Sequence, residues 1–178
     1  MAKERKSRRA YLNDFQQDES GQYQYKGEVY LLENKEPEQV SKKLLTFVTG
    51  SLGSCVVAGF IPYDGMSGSP MVVFPYLVEF GFSILLAVAV YTFTKNIREL
   101  RSYQYNKSIE KVKPYGMIVI IGIVAGLLAS VSRMFGQKEG VQTIYALFFI
   151  ALKCVNFFMI KNTTQLVGQL SFKKKKTG

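Results

Sequence analysis

Two formal charges stand inside otherwise apolar stretches of this chain: Glu79 within Met71–Phe93 and Lys153 within Thr143–Ile160. At the centre of a membrane span each costs about 2.5–3.5 kcal/mol on insertion scales, so such residues face a bundle interior and find a partner there. Three kinds of chemistry fit them. They form a structural ion pair, they titrate as part of a proton or ion pathway, or Lys153 snorkels by itself toward the membrane edge. Depth bears on the choice. Glu79 lies about 12 Å along its run from Met71, and Lys153 about 15 Å from Thr143, both counted from the same side at the helical rise. The spacing therefore predicts a Glu79–Lys153 ion pair tying the second and fourth spans together. Ser83 follows Glu79 at i+4 and Asn156 follows Lys153 at i+3, so each charge has a polar neighbour on its own helical face.

Other chemistry finds little material. The chain has no His, which removes the commonest general base and transition-metal ligand. Its two Cys, Cys55 and Cys154, both fall in apolar runs, too few for a zinc cluster and readable as small packing residues. Gly65-Met66-Ser67-Gly68 resembles the Gly-x-Ser-Gly of rhomboid intramembrane proteases. That nucleophile needs a base to deprotonate the Ser, so the segment is read here as a flexible turn. There is no P-loop or dinucleotide fingerprint, and no second acidic residue in the runs for acid–base work. No catalytic residue, metal or cofactor is expected.

The elements that must position the two charges are four apolar runs: Leu44–Pro62, Met71–Phe93, Met117–Phe135 and Thr143–Ile160. Each has the length of a bilayer-spanning helix. Lys and Arg alternate sharply between them. Met1–Lys43 carries nine, Tyr63–Pro70 none, Thr94–Gly116 six, Gly136–Gln142 one and Lys161–Gly178 five. Basic segments stay cytoplasmic, which predicts an all-α integral membrane protein: an antiparallel four-helix bundle with both termini and the 94–116 loop inside. The cell membrane is the expected location. The domains are then the arm 1–43, the membrane unit 44–160 and the tail 161–178. The net charge of +10 belongs to this topology rather than to nucleic-acid binding.

Smaller features complete the reading. Tyr23–Leu31 alternates around Lys26-Gly27 and predicts a short hairpin in the cytoplasmic arm, with Tyr23 opposite Tyr30. Glu36-Pro37-Glu38 begins a helix that runs into the first span. Gly50, Ser54 and Ala58 form a small-residue face on span one, and Gly122, Gly126 and Ser130 form one on span three. The latter serves packing inside the bundle or a homodimer. Pro75 predicts a bend in span two. The loop after that span is expected to continue it as a helix and turn at Pro114-Tyr115-Gly116. Arg133 belongs to the outer interface, within reach of Asp64 or Glu139. Arg8, Arg9 and Lys173, Lys174, Lys175, Lys176 are candidates for contact with anionic lipid headgroups. The last four residues also resemble a dilysine retrieval signal, meaningful only in a eukaryote.

These observations favour a non-enzymatic membrane protein, an accessory or scaffold subunit that meets another membrane protein or a peripheral complex through its cytoplasmic face. The alternative is a small oligomeric transporter or channel subunit using Glu79 and Lys153. A further alternative is an accessory subunit of a membrane lipid or polysaccharide enzyme.

Overall fold

A computed structural model describes residues 15–17, 21–135 and 140–176. Strands β1 (Phe15–Gln17), β2 (Tyr23–Tyr25) and β3 (Glu28–Leu32) precede helix α1 (Pro37–Phe60). A five-residue helix α2 (Asp64–Gly68) leads into α3 (Pro70–Lys95). Strand β4 (Leu100–Arg101), helix α4 (Ser102–Lys107) and the long α5 (Ile109–Met134) follow. Helix α6 (Gly140–Gly168) and strand β5 (Phe172–Lys176) come last among the described residues.

Among the described residues, four helices are long and apolar enough to cross a membrane: α1, α3, α6 and the stretch Ser102–Met134 that contains α5. Pro37 and Pro70 start α1 and α3 at first-turn positions, where a missing N–H costs nothing. The four pack as a ring in which α1 and α5 each touch both α3 and α6. Helices α3 and α6 therefore face each other across the diagonal. The distribution of side chains suits an apolar solvent. Phe60, Phe74, Leu128 and Phe148 are exposed on the outside, whereas Glu79, Lys153, Asn156 and Thr163 are buried. A water-soluble bundle would show the reverse.

Small residues set the closest approaches. The Gly122–Gly126–Ser130 stripe is buried. A Cβ on Gly122 would lie 3.1 Å from the Pro75 carbonyl oxygen and 3.2 Å from Glu79 Cβ. That stripe is covered by α3 of the same chain, which fills the face considered for homodimer contact. On α1, Ser54 and Ala58 are buried as well, but the inward face runs through Val48, Ser51 and Cys55. Gly50 sits at the margin of that face, against Met159 of α6.

Two expectations are corrected at the sheet end. Pro114 and Gly116 lie inside α5, not at a turn. Pro114 falls in the second turn, where it forfeits the single bond to the Glu110 carbonyl. Gly116 is there for packing, since a Cβ would run into Thr164 of α6. The loop also does not continue span two as a helix: α3 stops at Asn96, whose side chain donates to the Thr92 carbonyl at 3.0 Å.

The hairpin pairing is corrected too. Tyr23 lies opposite Gln17, because β2 pairs with β1 and not with β3. Strand β3 is instead the centre of a three-stranded antiparallel sheet ordered β4-β3-β5. Tyr30 faces Leu100 on one side and Lys174 on the other. The basic tail is thus a β-strand. Lys174 meets Glu28 at 3.3 Å and Lys173 meets Glu33 at 3.6 Å. An aromatic chain of Tyr30, Tyr105, Phe172 and Phe93 fastens this sheet to the bundle.

Candidate functional site

The site is built at the centre of the ring, where each helix contributes what its local sequence allows. Helix α3 brings Glu79 one turn beyond Pro75, against the backbone gap that Gly122 leaves on α5. Helix α6 brings Lys153 and Asn156 on one face. Glu79 and Lys153 form an ion pair across the diagonal, with both side chains fully buried. The neighbours foreseen at i+3 and i+4 divide. Asn156 enters the network and donates to Glu79 Oε1 at 2.6 Å. Ser83 is equally buried but has no hydrogen-bond partner for its Oγ among the described residues.

Helix α1 supplies three groups that the sequence reading did not assign here. The Cys55 thiol donates to Glu79 Oε1 at 3.2 Å. Ser51 Oγ donates to Asn156 Oδ1, and Ser54 Oγ returns to the Ser51 carbonyl at 2.8 Å. Tyr76 closes the site from α3. Its hydroxyl donates to the Cys55 carbonyl at 3.2 Å, and its ring centroid lies 4.7 Å from Lys153 Nζ. Phe149 presents a second ring at 4.9 Å. A usable signal existed: Ser51 and Cys55 are spaced i, i+4 on α1, beside the small-residue row that was read as the packing face.

Lys153, Asn156 and Cys55 all donate to one carboxylate, and the ammonium also lies between two π faces. Burying one charge of such a pair alone is costly, whereas the hydrogen-bonded pair is tolerated. The arrangement suits static charge compensation. The carboxylate is engaged by three donors, the Lys153 ammonium among them. Among the described residues, no group of three His, Cys, Asp or Glu could hold a metal ion.

A second polar locus caps the opposite end from the sheet. Tyr63 is buried, packs on Phe149 with centroids 5.7 Å apart, and donates to the Ser130 carbonyl at 3.4 Å. Burial raises its phenol above the usual tyrosine range. Gly65 lies against the Tyr63 ring, where any Cβ would clash. Arg133 stands exposed in the last turn of α5, and Asp64 opens α2 with its amide donating to Gln142 Oε1 at 3.1 Å. Both charges act on Tyr63 electrostatically. Glu139, Arg8 and Arg9 lie outside the described residues, as does the structure of residues 1–14 as a whole.

No protein-family model, curated protein or solved structure matches this chain.

Proposed function

We propose that this multi-pass membrane protein is a non-enzymatic accessory or scaffold subunit, presenting a folded face to another membrane protein or a peripheral complex. The observation that supports this reading is the β4-β3-β5 sheet. Segments 28–32, 100–101 and 172–176 come from three separate parts of the chain and are held together at one end of the bundle. Charged segments that served only to orient spans would need no such order. The alternation of Lys and Arg supports a cytoplasmic position for that face, and we read the bundle as lying in the cell membrane. Anionic headgroups next to the remaining lysines assist its attachment.

A triple variant, Lys107→Glu, Lys111→Glu and Lys175→Glu, tests the reading without disturbing the β3 carboxylate pairs. Co-purification of the full chain in mild detergent, followed by quantitative mass spectrometry, should lose specific partners in the variant. An unchanged set of co-purified proteins would reject the proposal.

One observation favours transport as a second reading. Ser83 is a buried hydroxyl one turn from Glu79 on the same helix, and its Oγ has no hydrogen-bond partner within ordinary geometry among the described residues. Intramembrane ionisable groups beside spare hydrogen-bonding capacity are found along ion pathways. Reconstituted protein that moves no proton or ion across proteoliposomes would remove this reading.

A further inference from the structure

We propose that Tyr63 is a plug at the end of the bundle opposite the sheet, and that its withdrawal admits water and small polar solutes to the Glu79–Lys153 pair while the sheet end stays shut. The two ends are sealed unequally. Cys55, whose thiol donates to Glu79, lies about 8 Å from the end of α1 at Phe60 and about 27 Å from its start at Pro37, counted at the helical rise. Toward the sheet the interior is filled by Leu86, Val90, Phe93 and Ile160, all fully buried and all on spanning helices. Toward the far end the buried cluster is small: Ala58, Tyr63, Val72, Ala146 and Phe149.

Tyr63 differs from the rest of that cluster in where it comes from. Its four neighbours belong to spanning helices, whereas Tyr63 stands in the short connection between α1 and α2. Its side chain nonetheless enters the bundle and is only 1% exposed. The ring packs on Phe149, and Phe149 in turn lies on Lys153, with Nζ 4.9 Å from its centroid. Tyr63, Phe149 and Lys153 therefore form a stack that leads from the connection to the ion pair. With Tyr63 withdrawn, Phe149 loses the ring that backs it, and the ammonium is one side chain from water.

The plug is held by contacts that a connection can release without unfolding a span. The Tyr63 hydroxyl reaches the Ser130 carbonyl at 3.4 Å, longer than the usual hydroxyl bond of about 2.7–2.8 Å. At the rim, the Asp64 amide donates to Gln142 Oε1 at 3.1 Å, an exposed contact. The adjoining helix α2 has five residues, too few to be stable by itself. Elements of this kind open locally at small cost, which is why lids are drawn from them. Gly65 lets the ring seat, since a Cβ there would fall on it.

Labelling of Cys55 by a small charged methanethiosulfonate, in the full chain carrying Cys154→Ser, tests the plug. In detergent both ends meet the reagent, so the result does not depend on orientation in a membrane. Cys55 should react slowly in this background. Tyr63→Ala should label about tenfold faster or more, because truncating a buried aromatic lowers the free energy of local opening. Tyr63→Phe keeps the ring and should label near the background rate. Gly65→Ala crowds the seated ring and should accelerate labelling with Tyr63 intact. Phe93→Ala removes an equally buried ring at the sheet end and should leave the rate near background, even where it lowers the unfolding temperature as much. A background rate in Tyr63→Ala, or equal acceleration by Phe93→Ala, overturns the proposal. So does Tyr63→Phe labelling as fast as Tyr63→Ala. Should Tyr63→Ala fail to fold, Gly65→Ala decides the matter against Phe93→Ala, and an unchanged rate there rejects the plug.

Discussion

Tyr30, in the arm before the first span, stacks on Tyr105, in the connection between the second and third, with ring centroids 4.2 Å apart and planes 12° from parallel. Phe172 of the tail meets the edge of Tyr105 at 5.3 Å and of Phe93 at 6.3 Å. Arm, central connection and tail thus share one small core, although no two of them adjoin in sequence.

Tyr105→Ala should therefore loosen all three segments together. Loss of the stacked pair costs about 0.5–1.5 kcal/mol beyond the area lost. Hydrogen exchange should rise in 28–32 and 172–176 as well as in 102–107, with the bundle interior unchanged. A rise confined to 102–107 would show that the sheet does not depend on this contact.

The sheet should fail in alkali. Tyr30 and Glu28 beside it hold the Lys174 ammonium above the usual lysine range. A group whose pKa is raised on folding contributes stability that is intact below its unfolded value, 10.5 for this lysine, and lost as pH climbs through the folded value. Burial raises Tyr63 in the same direction from 10.0, so the opposite end of the bundle loses stability over a similar range. Unfolding temperature should be flat near neutrality and fall above about pH 10. In Lys174→Gln the alkaline fall should be smaller, and a fall identical to wild type would contradict the assignment.

Gly122→Ala should destabilise by about 1–3 kcal/mol, because the added Cβ meets backbone of α3 that has little room to move. Gly53 is the matched comparison, with nothing within 4 Å of its would-be Cβ. Gly53→Ala should be neutral or stabilising by up to about 1 kcal/mol. Equal effects of the two substitutions on the unfolding temperature would mean that α3 and α5 do not approach as described.

How much of this was legible follows from the range of the interactions. Four apolar runs mark four helices because lipid demands a local pattern of fixed length. The meeting of Glu79 and Lys153 could be anticipated because depth along a helix is simple arithmetic. The share of Cys55 and Ser51 in the site could not be assigned the same way. It depends on how α1 is rotated, and small residues on two adjoining faces left that rotation undecided. The tail strand was hidden for a different reason. A lysine run has no strand tendency of its own, and it pairs because Glu28 and Glu33 wait more than 130 positions earlier. Gly116 misled because its reason for being glycine is Thr164, on another helix.

Sidedness can be checked with introduced thiols in a variant lacking the native cysteines. A cysteine at Asn34 or Lys175, at the sheet end, should resist an impermeant maleimide in intact cells and react after permeabilisation. A cysteine at Gly68, exposed in α2, should react in both. The opposite pattern would reverse the orientation and move the proposed docking face to the outside.

The most direct test exchanges the two buried charges. Glu79→Lys alone and Lys153→Glu alone each place like charges together in the interior and should cost about 3–5 kcal/mol. Unfolding temperature in detergent and the labelling rate of buried Cys55, measured in a Cys154→Ser background, report the loss. The double exchange restores an opposite pair across the diagonal, and the Asn156 amide can present its oxygen instead of its nitrogen. Recovery of at least half the lost stability in the double variant is the expected result. Single variants that unfold like wild type, or a double variant no better than the worse single one, would contradict an interior ion pair as the lock of this bundle.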